Sequence, residues 1–234
     1  MALGINPEKT IAWIGNFPLV HFFTTKKFGN VAQRYENPQT EQLEEEIRKL
    51  TGGVEYSRIH LVPHGKEILF DDVPKRFEYL QQFGQGIIIK RDSNYIHVIT
   101  LYVGDCYPIL ITDREYEIIG ILHGGYRQLK YKFVEKIIQL ICEKTKIEPE
   151  SLILGIGPGI KRCCYRADLL RMIIAQALRS KVQQQNIFIA GTCTCCTKLE
   201  PNEYLFFSHR RSKQQKESEG RFAAVLTSLL KGSG

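Results

Sequence analysis

Cys106 and His123 are the two residues of this chain best placed to do chemistry. Each stands where an apolar run gives way to a tight turn, in Tyr102-Val103-Gly104-Asp105-Cys106-Tyr107-Pro108 and in Leu122-His123-Gly124-Gly125-Tyr126-Arg127. A strand running into such a turn holds a side chain rigidly at the edge of a sheet, where a substrate can reach it. The backbone between the two segments reads as a hairpin or a neighbouring pair of strands, which brings thiol and imidazole together. A thiol near an imidazole is either a metal site or an activated nucleophile.

A third segment, Pro63-His64-Gly65-Lys66-Glu67-Ile68, can converge on the same place. His, Cys, His with no obvious fourth ligand suits a catalytic zinc site, with three protein donors and one open position. Zinc held in this way brings the pKa of a bound water towards ~7. The soft thiolate favours zinc, or copper(I), over magnesium or calcium. His60, in the same run as His64, is a rival ligand, whereas His21 and His97 lie inside strand patterns and read as structural. The plainer alternatives are that Cys106 is a small buried hydrophobe and that His123 is a turn residue satisfied by backbone.

Two other motifs invite chemistry. Gly155-Ile156-Gly157-Pro158-Gly159-Ile160 follows a strand and resembles a phosphate-cradling loop, but it lacks the Lys-Ser/Thr of a P-loop and carries Pro158. It reads as a tight backbone approach beside the site, with N–H groups able to hold an anion. Cys163-Cys164 and Cys193-Thr194-Cys195-Cys196 raise a second zinc site through the C-x-x-C spacing of Cys193 and Cys196. Adjacent buried thiols are the favoured reading of these.

The elements that position these residues alternate between short apolar runs and amphipathic helices, the pattern of an α/β or α+β domain. Strands are predicted over 10–14, 20–25, 57–62, 67–70, 86–90, 95–103, 109–112, 116–122, 152–156 and 187–190. Helices are predicted over 40–50, with Leu43, Ile47 and Leu50 on one face, and over 130–144, with Phe133, Ile137, Leu140 and Ile141 inward. Another begins at Asp168, its N-cap, and a last one over 218–230 is expected to bury Phe222, Val225, Leu226 and Leu229. Residues 212–219 read as a surface loop.

Composition bounds the rest. At 234 residues the chain fits one well-buried domain, 1–234. No apolar stretch reaches the ~20 residues of a bilayer span, and the first residues lack a signal pattern. Seven cysteines without that pattern point to a reducing cytoplasm rather than a disulfide framework. The net charge of +7 is scattered among acidic residues, so neither a membrane nor nucleic acid is the expected partner. A monomer is expected.

Five ordered motifs across most of the chain resemble the laccase-domain family of the YfiH/YlmD type, also called polyphenol oxidase or multicopper-type purine nucleoside phosphorylase. The family's His-Gly-x-x-Val resembles His64-Gly65-Lys66-Glu67-Ile68, and its Ala-Asp-Cys-x-Pro-Val/Ile-Leu resembles Gly104-Asp105-Cys106-Tyr107-Pro108-Ile109-Leu110. His-Ala-Gly-Trp-Arg-Gly resembles His123-Gly124-Gly125-Tyr126-Arg127-Gln128, and Gly-Pro-x-Ile-x-x-Cys-Cys-Tyr is matched by 157–165. The last motif, Cys-Thr-x-Cys followed by Phe-Phe-Ser-His/Tyr-Arg-Arg and Gly-Arg, is matched by 193–196, 206–211 and Gly220-Arg221. The chain departs from the pattern at Tyr126, at Gln128, and at Gln85-Gly86, where Asp-Gly is usual. The early Thr-Arg-x-Gly-Gly loop is reduced to Thr24-Thr25-Lys26-Lys27-Phe28-Gly29.

The resemblance implies a single layered α/β/β/α domain with mixed β-sheets and a zinc ion held by His64, Cys106 and His123, copper being less favoured. It implies purine nucleosides and phosphate as ligands, with phosphorolysis of adenosine, inosine, guanosine or methylthioadenosine and deamination of adenosine. Arg127, Arg211 and Arg221 are then candidates to orient the phosphate, with Tyr126 and Gly157 beside the substrate. The alternatives are a metal-free hydrolase or deamidase using Cys106 and His123, an editing hydrolase of peptidoglycan precursors, a copper-dependent polyphenol oxidase, and a binding module of the same fold that has lost catalysis. Six histidines are few for multicopper chemistry.

Overall fold

The computed structural model describes residues 3–32, 38–71, 79–92 and 94–232, side chains at 38, 64–68, 71, 79–81 and 83 excepted. The chain opens with β1 (Leu3–Ile5), β2 (Ile11–Ile14) and β3 (Leu19–Thr24), followed by α1 (Pro38–Leu50). Then come β4 (Tyr56–Asp71), β5 (Tyr79–Lys90), β6 (Ile96–Val103), β7 (Tyr107–Asp113) and β8 (Ile118–Gly124). Helices α2 (Tyr126–Lys130) and α3 (Phe133–Thr145) lead to β9 (Leu152–Ile156), α4 (Leu169–Arg179) and β10 (Ile187–Ile189). The small β11 (Lys198–Glu200) and β12 (Glu203–Tyr204), then α5 (His209–Gln215) and β13 (Phe222–Leu230), follow.

Eleven strands form one curled mixed sheet in the order β1-β2-β3-β13-β6-β4-β5-β8-β7-β9-β10. β4 runs parallel to β5 and β6, and β9 parallel to β10. The other pairs are antiparallel, including the β7–β8 hairpin that the sequence predicts.

Period-two alternation sorts the side chains into layers. In β8, Ile119 and Ile121 face an inner core that both halves of the curled sheet share, while Ile118 and Leu122 face α3 and α4. In β13, Phe222, Ala224 and Leu226 point to that inner core, and Ala223 and Val225 point to Leu43 and Ile47 of α1. The result is helix, sheet, sheet, helix, as the resemblance implies. Each fully buried Ile, Leu or Phe contributes roughly 1.5–3 kcal/mol, so the three apolar layers outweigh any single surface contact.

Three expectations need correction. The segment expected as a final helix is the strand β13, which inserts between β3 and β6. Every residue from Phe222 to Ser228 is buried, so no polar face marks the period of two. A strand covered on both faces reads as a continuous apolar run that fits a helical stripe equally well. The helix expected over 130–144 is split. Lys132 adopts a left-handed φ of 58°, and buried Gln176 of α4 accepts from the Val134 N–H (3.0 Å) and donates to the Leu129 carbonyl (2.8 Å). Residues 212–215 of the expected surface loop belong to α5, which is capped by the Ser208 hydroxyl accepting from the Arg211 N–H. The N-cap expected at Asp168 is present, its carboxylate accepting from the Arg171 N–H at 3.0 Å. No helix among the described residues is long and apolar enough to cross a membrane.

Candidate functional site

Cys106 is aimed by the residue before it. Asp105 connects β6 to β7 with φ 106°, a conformation that strains any residue with a Cβ. Its surroundings hold it there. The Asp105 carbonyl accepts from the Ile160 N–H (2.8 Å), Oδ1 accepts from the Thr194 hydroxyl (2.8 Å), and Oδ2 accepts from the Arg210 N–H (2.6 Å). Three loops are thereby tied to one residue, two of them through its side chain. Gly104 keeps the backbone close to the Gly220-Arg221 segment, since a Cβ there would lie 2.9 Å from the Gly220 carbonyl.

The β7–β8 register sets Pro108 opposite His123 and Tyr107 opposite Gly124. Cys106 Sγ and the His123 ring meet at Gly125, where a Cβ would lie 3.2 Å from the sulfur and 3.6 Å from His123 Cε1. The thiol and the imidazole are neighbours, as the turn chemistry predicts. His123 Nδ1 donates to Gln85 Oε1 at 2.8 Å, which leaves Nε2 with a free lone pair, the state a metal-ligating or basic histidine needs. Burial, and the positive charge of Arg221, push the His123 pKa down to about 4. Burial pushes the Cys106 thiol up to about 11, with Asp105 adding to the rise and Arg221 opposing it.

His64 lies in β4, but its side chain is outside the described residues. Its backbone is informative. Between Pro63 and Ile68 the pairing with β5 advances only from Gly84 to Gly86, so the His64 segment bulges opposite Gln85. Gly86 in turn pairs with Leu122, beside His123. Bulges commonly re-aim side chains at functional sites. His60 is placed otherwise: its Nδ1 meets the Thr100 hydroxyl at 3.0 Å and its ring lies 4.2 Å from that of Tyr102.

The remaining candidates separate. Arg127 is exposed at the start of α2 and forms no hydrogen bond or ion pair with the described residues. Arg221 flanks Gly104, with its guanidinium on Glu219 (2.6 Å) and the Gly220 carbonyl (3.0 Å). Tyr126 is half-buried, edge-on to Tyr165 at 6.2 Å and beside the Arg166 guanidinium.

Arg211 is not available to a phosphate. It is 2% exposed, donates to the carbonyls of Thr194, Cys195 and Phe206 at 2.8–3.0 Å, and lies over the Tyr204 ring at 3.8 Å. Gly157 is likewise a packing residue, where a Cβ would lie 2.7 Å from Phe23 and from Pro108. The anion-holding loop is corrected with it: the N–H groups of Gly157, Gly159 and Ile160 go to the carbonyls of Pro108, Thr192 and Asp105.

Gln85 and Asp105 do work that was not assigned to them from sequence. The signal for Gln85 was its place before the strand at Ile87, where the family pattern carries an acid. For Asp105 it was adjacency to Cys106.

Known proteins share stretches of this sequence and this fold. The chain is 26% identical over 168 residues to a purine nucleoside phosphorylase of Clostridium acetobutylicum, covering 61% of this chain and 66% of the relative. It is 25% identical over 159 residues to purine nucleoside phosphorylase YlmD of Geobacillus stearothermophilus, covering 55% of each. The aligned stretch thus spans less than two thirds of either relative's length. Among solved structures, Bacillus licheniformis YfiH superposes with a TM-score of 0.75 at 16% identity, over 97% of this chain and 98% of that one. The crystal structure of Geobacillus stearothermophilus YlmD gives 0.70 at 20% identity, over 89% and 91%. The model of one protein family, described as multi-copper polyphenol oxidoreductase laccase, matches residues 64–167 and 165–228. That span takes in Cys106, His123 and every loop that positions them, and the chain belongs to this family.

Proposed function

We propose that the chain is a zinc-dependent purine nucleoside enzyme that catalyses phosphorolysis of adenosine, inosine, guanosine or methylthioadenosine, with deamination of adenosine as a second reaction. His64, Cys106 and His123 are its metal ligands. The observation that carries this reading is the Gln85–His123 hydrogen bond, which fixes the tautomer and leaves Nε2 without a partner among the described residues, on a ring that neighbours the Cys106 sulfur. An imidazole oriented in this way next to a soft thiol fits zinc. The names of the sequence relatives supply the substrate class. Bound there, zinc supplies Lewis-acid polarisation of a substrate or water oxygen.

The chain's own groups supply the rest. In phosphorolysis, a phosphate oxygen forms a bond to the sugar C1′ while the bond to the base breaks. Arg127, exposed and uncommitted, and Arg221, beside Gly104, orient the phosphate dianion. Tyr126 flanks the base. Asp105 holds Cys106 in place without touching substrate. A metal-free cysteine nucleophile is less favoured, because a thiol pushed up to about 11 by burial stays protonated at neutral pH.

The test measures zinc content and base release from adenosine and inosine, with and without phosphate. Wild type, Cys106→Ala and Gln85→Leu are compared. Phosphate-dependent base release by wild type, none by Cys106→Ala, and about 10- to 100-fold weaker metal binding or activity in Gln85→Leu are expected. Absence of turnover of every purine nucleoside by zinc-loaded wild type overturns the reading.

A further inference from the structure

We propose that Cys163, Cys164, Cys193 and Cys196 form a second metal centre, a closed tetrathiolate site for one zinc ion. Their four sulfurs all lie within 4.8 Å of one another, and the Cys163 and Cys196 sulfurs are 3.4 Å apart. Four sulfurs placed ~2.3 Å from a tetrahedral zinc are about 3.8 Å apart, so the loops need adjust by only fractions of an ångström to close on an ion. A disulfide needs its sulfurs ~2.0 Å apart, far closer than this pair. Iron–sulfur clusters place several irons between their cysteines, whereas a group this compact encloses a single ion. Thiolate donors select zinc over magnesium or calcium.

The backbone gathers these thiols before any ion arrives. β9 and β10 are parallel, so the loops that follow them leave the same end of the sheet. The Gly159 N–H donates to the Thr192 carbonyl (3.3 Å) and the Thr194 N–H to the Gly159 carbonyl (3.2 Å), tying the loops together. Cys163 and Cys164 sit in a turn in which the N–H groups of Cys164 and Tyr165 both donate to the Lys161 carbonyl. Cys193 and Cys196 form the second half, closed by the Thr197 N–H on the Cys193 carbonyl (3.2 Å).

The surroundings suit an anionic centre. The Lys161 N–H points at Cys193 Sγ (3.5 Å), and four thiolates on a divalent ion leave two negative charges beside Lys161 and Arg162. Cys193 is buried, while Cys163 and Cys196 are exposed, which corrects the expectation of buried thiols and leaves an entry path. Binding releases the thiol protons to solvent. Cys195 lies outside this four-sulfur group, and its carbonyl is taken by Arg211.

Such an ion has a structural consequence for the first site. Thr194, between Cys193 and Cys195, holds Asp105 Oδ1, so the centre stiffens the loop that aims Cys106.

The proposal is independent of the His64–Cys106–His123 reading, and one variant separates them. Cys106→Ala/His123→Ala removes two ligands of the first site and leaves the four cysteines intact. After zinc loading and dialysis it is expected to keep about one zinc per chain, with a sulfur-only first shell by X-ray absorption. Cobalt in its place is expected to show intense thiolate-to-metal charge transfer. Adding Cys163→Ser and Cys196→Ser is expected to remove that ion and lower Tm. If the double variant does not fold, the wild-type absorption edge decides: four of this site's sulfurs make the mean shell sulfur-rich, whereas the first site alone offers one sulfur and two nitrogens. No zinc retained by the folded double variant, or a nitrogen-rich wild-type shell, overturns the proposal. So does a Cys163–Cys196 disulfide in protein purified under reducing conditions.

Discussion

After β6 the chain presents one thiol; after β9 and β10 it gathers four of five into one group. The β6–β7 connection spends its interactions on direction. Asp105 carries a left-handed φ and three hydrogen bonds so that a single sulfur meets His123 inside the protein. The loops after β9 and β10 spend theirs on proximity, gathering four sulfurs that run from buried Cys193 to exposed Cys163 and Cys196. One arrangement leaves room for a substrate, and the other is complete in itself. The same side chain therefore serves two ends, and backbone geometry around it tells them apart.

Arg211 braces the loop after β10 against Phe206, and removing it is the largest test of the contrast. Arg211→Met leaves three buried carbonyls without donors and is expected to cost at least about 3 kcal/mol. Arg127→Ala is the control: exposed and uncommitted, it is expected to change stability by no more than about 0.5 kcal/mol while raising KM for phosphate. Denaturant unfolding and initial rates check both, and equal stability losses would erase the distinction between strut and ligand.

Asp105→Ala breaks the directing plan alone. It strands the Thr194 hydroxyl and the Arg210 N–H, for an expected loss of about 2–3 kcal/mol, and it abolishes turnover. Full activity in this variant would show that Cys106 needs no aiming.

A pH-dependent effect lies outside both regions. In β3, His21 donates from Nδ1 to the Leu19 carbonyl and accepts from the Ile14 N–H at Nε2, so protonation destroys the second bond. Burial pushes its pKa from 6.5 down to about 3, and burial also lowers His60 to about 4. The unfolded chain then binds more protons than the folded one between those values and 6.5. Stability is present above about pH 6.5 and declines as the pH falls towards 4. Unfolding curves at successive pH values check this, and a flat profile would contradict it.

The pairing of Cys106 with His123 was legible because both stand at marked turns joined by short apolar runs. α1, the β9 strand and the Asp168 cap were legible for similar local reasons. β13 was not, because burial on both faces erases the alternation that identifies a strand. Nor was the commitment of Arg211, whose three carbonyl acceptors lie on two separate loops brought together only by folding. The four-cysteine group was half legible: Cys193-x-x-Cys196 stands out by spacing, but its other half lies beyond α4 and β10 in sequence.

β13 has a further consequence, for the order in which the protein can be made. It is the strand that joins β3 to β6, pairing with both along most of its length. A ribosome delivers β3 and β6 well before β13, so each waits with an open edge until residues 222–230 emerge. The inner core cannot close around Phe222, Ala224 and Leu226 before that moment. Closure of this part of the sheet is thus deferred until β13 has emerged, and the nascent chain until then carries two unpaired strand edges that a chaperone, or another nascent copy, is free to occupy.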